Sequence, residues 1–181
     1  MSAPRWRVVV VDDHVKSRTA LTAAITGAGG HVIGESGSAR DAPDLIARLR
    51  PDVAVLAVGA AKAVLDATPC PIVLFTSHRD DALVRRASEA GVMAFLLKPL
   101  RAQELAPVLD LAIARFTDIQ ALRRELAARK IIERAKGLLM RRHGLSEEDA
   151  FRMLRSAAMR QRRPMADVAE AVLLAESLAR E

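Results

Sequence analysis

Cysteine and aromatic side chains are nearly absent from this chain. One thiol, Cys70, excludes a disulfide-stapled scaffold and points to a reducing, cytoplasmic compartment. Set between Pro69 and Pro71, it is expected to be a small buried hydrophobe. There is no tyrosine, and Trp6 with four phenylalanines brings the aromatic share to 3%. That argues against a sheet that reads bases by stacking them on exposed rings. No apolar run approaches the ~18 residues of a membrane span, and Met1 to Arg7 lacks a signal-peptide pattern, so no membrane partner is expected. Four scattered histidines, His14, His31, His78 and His143, show no metal-ligand spacing. No cofactor and no catalytic constellation is indicated, so the chain is not expected to be an enzyme.

What the chain does have is apolar mass and localised charge. Apolar residues fill 51% of its 181 positions, enough for one domain and a smaller second one. The net charge is +6, yet Ala121 to Arg163 alone carries thirteen Lys/Arg against five Asp/Glu, a net of +8. Basic residues clustered on short helices are the electrostatic footprint of a nucleic-acid binder.

The first half alternates short apolar runs with helical stretches. Strands are predicted at Arg7–Val11, His31–Ser36, Val53–Val58, Pro71–Phe75 and Val92–Leu97. Helices are predicted at Val15–Ala28, Ala39–Leu49 and Asp80–Ala90, with a further one from near Arg101. Continuous rather than alternating apolar runs fit strands buried on both faces. The pattern predicts an α/β fold, a doubly wound, flavodoxin-like sheet of five parallel strands. Site residues in such sheets gather at the carboxyl ends of the strands. Here those ends carry Asp12, Asp13, Thr76, Ser77 and Lys98. Paired carboxylates suit a hard cation such as Mg²⁺, and a hydroxyl with a lysine suits a phosphoryl group.

The motifs VVDD, PDVAVL, FTS and AFLLKP make residues 1–109 resemble a response-regulator receiver domain of two-component, phosphorelay signalling. The resemblance implies Mg²⁺ at Asp12 and Asp13, phosphoryl contacts from Thr76 and Lys98, a switching aromatic at Phe95, and a cis Lys98-Pro99 bond. It also exposes a departure. The family's phospho-accepting aspartate falls on Ala57, and a methyl group cannot form an acyl phosphate. Asp52 sits at the wrong end of its strand to substitute, and Asp66 lies a helix away. The GAAKAVLDATPC stretch stands as a truncated replacement for the family's loop and helix before the fourth strand. This is therefore expected to be a pseudo-receiver, with Asp12 and Asp13 a relic pair rather than a functional metal site, a residual Mg²⁺ site there being the other reading, and Lys98 available to pair with one of them.

From Leu105 the apolar spacing Leu105, Leu109, Ala112, Phe116, Ile119 continues through Leu122 and Leu126. Three heptads suggest a coiled coil joining two copies, with residues 110–129 as a helical linker. The other reading has the helix pack its stripe on its own receiver. Pro107 is expected to kink or delay the helix.

Residues 130–181 read as an all-α module of three helices. Gly144 stops the first, Ser146 caps the second with Glu147, Glu148 and Asp149 in its first turn, and Pro164 precedes the third. The inner faces are predicted as Ile131, Ile132, Ala135, Leu138 and Leu139, then Ala150, Met153, Leu154, Ala157 and Ala158, then Val168, Ala171 and Val172. The cations lie on the first two helices. Gly137 lets either another helix or a ligand backbone come close, the former being preferred.

The motifs ARKIIERAKGLLM, LSEEDAF, LRSAAM and PMADVAEAV resemble the ANTAR domain, the RNA-binding module of antitermination regulators. Ala135, Lys136, Gly137, Met140, Ala150, Leu154, Arg155, Ala158 and Ala169 fall on its characteristic positions. The resemblance implies binding to paired RNA hairpins in nascent transcripts, which suits a homodimer. The candidate RNA-binding set is Arg129, Lys130, Arg134, Lys136, Gly137, Arg141, Arg155, Arg160 and Arg162. With the receiver unable to be phosphorylated in the usual way, control would fall to a regulatory partner protein, a ligand or protein level. A DNA-binding transcriptional regulator with a degenerate receiver remains the alternative.

Overall fold

Valine-rich strands with no polar face must be covered on both sides, and the helices here supply that cover. A computed structural model describes residues 4–65, 70–77 and 81–178, the side chains of residues 62, 63, 65, 81 and 83 excepted. Strands β1 (Arg7–Val11), β2 (His31–Ser36), β3 (Val53–Leu56), β4 (Ile72–Thr76) and β5 (Ala94–Leu97) form one parallel sheet in the order β2-β1-β3-β4-β5. Helices α1 (Val15–Gly27), α2 (Ala42–Leu49), α3 (Val58–Leu65) and α4 (Asp81–Glu89) connect them. The core gathers Val9, Val11, Ile46, Leu56, Val64 and Leu74, all exposed by 1% or less. The strand order reverses between β1 and β3, so the ends of those two strands flank the crevice where sheets of this kind place their sites.

The chain divides into two units, Met1–Asp118 and Ile119–Glu181. The division falls inside one continuous helix, α5 (Ala102–His143). The second unit adds α6 (Glu147–Gln161) and α7 (Met165–Leu178). Ser146 caps α6 as expected: its hydroxyl accepts the Asp149 N–H at 3.1 Å and donates to the Asp149 carboxylate at 2.7 Å. Gly144, at φ +62°, takes the left-handed conformation that ends α5.

Several expectations are corrected. β3 stops at Leu56, and Val58 opens α3, so the stretch before β4 holds a helix of eight residues. Ala57 makes the last bond to β1, its N–H donating to the Val11 carbonyl at 2.8 Å, and its own carbonyl already accepts from Ala60. Asp66, His78 and Pro69 lie outside the described residues. Pro107 does not delay α5, which begins five residues before it and continues through it. The lost N–H removes one helix bond, and full burial of Leu105 and Leu109 on either side holds the segment in place.

The largest correction concerns the seam. Leu105, Leu109 and Ala112 are fully buried within the first unit, so they are receiver core and cannot pair with a second copy. Leu122 and Leu126 are each 60% exposed. What remains open is under two heptads, shorter than a coiled coil requires. The periodicity was the same either way, because a helix shows the same spacing whether a sheet or another helix covers it.

In the second unit the core comprises Ala135, Leu139, Ala150, Leu154, Ala158, Val168 and Ala169, with Ile131, Ile132, Ala157 and Val172 packed against it. Met153 is 50% exposed and Ala171 is exposed. Ala169 takes the inward place expected of Ala171.

Since Trp6 is the sole tryptophan and is buried in the first unit, its fluorescence reports that unit's unfolding. Leu109→Ala should lower that unit's stability by about 2–5 kcal/mol. Leu122→Ala should change it by less than about 0.5 kcal/mol. Denaturant titrations giving equal, small losses for both would contradict the assignment of Leu109 to the receiver core.

Candidate functional site

At the carboxyl edge of the sheet, Asp12 is 1% exposed and Thr76 is 4% exposed. Lys98 follows β5, and its ammonium lies 2.6 Å from Asp12 Oδ2 and 4.9 Å from the centre of the Phe75 ring. The ammonium is thus a close charge contact for Oδ2, although the pair lacks hydrogen-bond angles. Asp12 Oδ1 accepts the His14 N–H at 2.9 Å. Thr76 ends β4, and its carbonyl accepts the Lys98 N–H at 2.8 Å. Phe95 is half-buried against the core. The Lys98-Pro99 bond is cis, as expected. Asp52 Oδ2 accepts the Arg7 N–H at 2.7 Å at the opposite end of the sheet, so it is committed elsewhere.

Asp12, Asp13, Ala57 and Gly59 line a cavity of about 100 Å³ between the ends of β1 and β3. Ala57 presents only a methyl group there. One potential ligand atom each of Asp12, Asp13 and His14 lies within 4.8 Å of the others. This set does not fit Mg²⁺, which demands an octahedron of oxygens. Both Asp12 oxygens are engaged, the third carboxylate is missing, and a lysine ammonium already stands beside Asp12. Asp13 turns outward, 74% exposed, with the His14 ring at 3.0 Å holding its carboxyl below the usual carboxylate range. Cys70 is inert as expected, burial pushing its thiol up to about 12.

The basic module sorts its cations into two groups. Arg142 pairs with Glu176, Arg152 with Glu148 and Asp149, and Arg163 with Asp167. Arg129, Lys130, Arg134, Arg141, Arg155 and Arg162 are exposed, and none has a carboxylate within 4.0 Å among the described residues. Arg160 is also exposed and donates to the Ser156 hydroxyl. Lys130, Arg134, Gly137 and Arg141 follow one another at helical spacing on α5. A Cβ at Gly137 would meet only Arg141 Nη1, at 3.4 Å. No helix packs there among the described residues, so bare backbone beside free cations replaces the packing expectation.

Lys136 is the exception in the candidate set. It is 7% exposed, and its ammonium sits 2.7 Å from Glu147 and 3.0 Å from Glu133. Its charge is spent inside the module, clipping α5 to the first turn of α6. Glu133 was visible at i−3, but Glu147 lies eleven residues on, beyond any helical spacing rule. Hydrogen bonds to Glu147 and then Glu133 hold the Lys136 ammonium above the usual lysine value of 10.5, and Lys136 holds Glu147 below 4.5. The clip therefore contributes fully between those two values. It is lost as pH falls through the depressed Glu147 value, and as pH rises through the raised Lys136 value. Helical melting of wild type and Lys136→Met should differ most near neutrality and converge in acid. A constant difference down to pH 2 would rule out the clip.

Residues 120–173 match the family model of the ANTAR domain. Over 187 aligned positions the chain is 36% identical to the transcriptional regulatory protein PdtaR of Mycobacterium tuberculosis, covering 95% of this chain and 91% of that protein. It is 28% identical to the chemotaxis protein CheY of Thermotoga maritima over 58% of this chain and 94% of that one. Among solved structures, the signal receiver domain of NarL from Mycobacterium tuberculosis aligns with a TM-score of 0.54 and 31% identity, covering 61% of this chain and 98% of that domain. No described helix is long and apolar enough to cross a membrane. A receiver fold followed by an ANTAR domain, matched almost end to end by PdtaR, means that the chain belongs to the ANTAR response regulators.

Proposed function

We propose that this chain is an RNA-binding antitermination regulator whose ANTAR domain engages hairpins in nascent transcripts. The observation that carries the proposal is the set of six exposed, unpaired cations on α5, α6 and the end of α6, beside the bare backbone of Gly137. Lys136, Arg142, Arg152 and Arg163 are neutralised by neighbouring carboxylates, so the positive field is concentrated on the free set together with Arg160. Phosphates neutralised there release counterions, which makes affinity fall steeply with salt. Because Leu122 and Leu126 offer too short a seam to hold two copies alone, a target with two hairpins would itself bring the second copy.

The receiver-like unit is proposed to act without an acyl phosphate. Ala57 supplies no nucleophile, and Lys98 has become the partner of Asp12. Control of the RNA-binding module then comes from something other than phosphoryl transfer, such as a protein partner or protein level.

Binding, assembly and modification measurements test this. Arg134→Ala and Arg155→Ala should each weaken binding to hairpin RNA and lower the slope of log affinity against log salt by about 1. The free protein should sediment as a monomer and form a two-to-one complex on RNA with two hairpins. Preferential capture of duplex DNA from cell extract would favour a DNA-binding regulator instead. Separately, incubation with acetyl phosphate and Mg²⁺ should leave the intact mass unchanged; a phosphoryl group on any aspartate would refute the pseudo-receiver reading.

A further inference from the structure

Of the five aromatic rings in the chain, four lie in the receiver-like unit. Trp6 and Phe75 are buried, and Phe95 and Phe116 are half-buried. Phe151 is the most exposed of the five, at 38%. It stands on α6, whose inward face is supplied by Ala150, Leu154 and Ala158, so the core of the module closes without it. Leaving a ring in water forgoes the stabilisation of burial. Along the same face, Arg155 and Met159 follow at i+4 and i+8, both exposed, Met159 at 71%. Arg155 has no carboxylate partner among the described residues, whereas Arg152 beside it is held by Glu148 and Asp149. The stripe thus alternates flat or polarizable apolar surface with a free guanidinium.

That combination does not suit a regular duplex. Paired bases turn their faces into the stack, and only unpaired loop bases can lie on a ring. We infer that Phe151 is the platform on which an unpaired base of the hairpin loop stacks, with Arg155 holding an adjacent phosphate. The inference rests on the RNA-binding function proposed above and assigns it a residue that distinguishes loop from stem. A single ring on a helix serves one base, which is compatible with a chain too poor in aromatics for a stacking sheet.

The test uses the full chain with Phe151→Leu and Phe151→Trp. Binding is measured by anisotropy to a labelled RNA hairpin and to a blunt, fully paired RNA of the same stem. Phe151→Leu should weaken hairpin binding by roughly ten-fold and leave binding to the paired RNA within about two-fold. Phe151→Trp should bind the hairpin like wild type, and its fluorescence, less that of Trp6, should be quenched by the hairpin and not by the paired RNA. Unchanged hairpin affinity in Phe151→Leu, or equal losses on both RNAs, overturns the stacking role while leaving RNA binding intact. Failure of the wild-type chain to bind any hairpin overturns both.

Discussion

A charge taken out of water must find its opposite within a few ångströms, and among the described residues each unit of this chain contains one such charge. In the receiver-like unit it is Asp12, and in the ANTAR domain it is Lys136. Asp12 draws Lys98 across the carboxyl edge of the sheet, joining the end of β1 to the end of β5 over the Phe75 ring. Lys136 draws Glu133 and Glu147, joining α5 to the start of α6. Removing one member of such a pair leaves the other's charge uncompensated, a cost moderated here because the partners reach solvent. The two pairs thereby fix the geometry around which the remaining polar groups are disposed.

Both lysines come from motifs whose family resemblance implies contact with phosphate: the phosphoryl group for Lys98, and RNA for Lys136. In this chain each is turned inward. At the sheet edge, that places an ammonium beside Asp12, and the methyl group of Ala57 completes a pocket without a nucleophile. In the ANTAR domain it leaves the proposed binding role to arginine, whose planar fork suits phosphate oxygens and stacks on bases. Gly137 supports the same face, since its missing side chain leaves backbone accessible between Arg134 and Arg141.

Much of this was legible in the sequence because it depends on local rules. The five strands follow from uninterrupted valine and leucine runs, α6 from Ser146 and its acidic first turn, and the end of α5 from Gly144. The rest depends on what comes from far along the chain. The spacing of Leu105, Leu109 and Ala112 predicts a buried stripe but cannot say that the sheet covers it. Lys136 sits at a surface-like position on α5 until Glu147 arrives from the next helix. Val58 looks like the last residue of a strand, yet the alanine-rich stretch after it prefers helix. Phe151 belongs to a recognisable motif, but its exposure appears only once Ala150, Leu154 and Ala158 have filled the core.

The free cations of the ANTAR domain lie close enough to act on one another. Lys130 and Arg134 stand one turn apart with no carboxylate in reach of either, an arrangement that opposes the helix it decorates. Dissolved ions screen that repulsion and also screen the attraction to RNA. On the proposed function, salt therefore pushes two properties of this face in opposite directions, easing the repulsion within α5 while loosening the grip on RNA. RNA bound as proposed would neutralise the same face and relieve the same repulsion, which is greatest when the domain is unliganded in dilute solution.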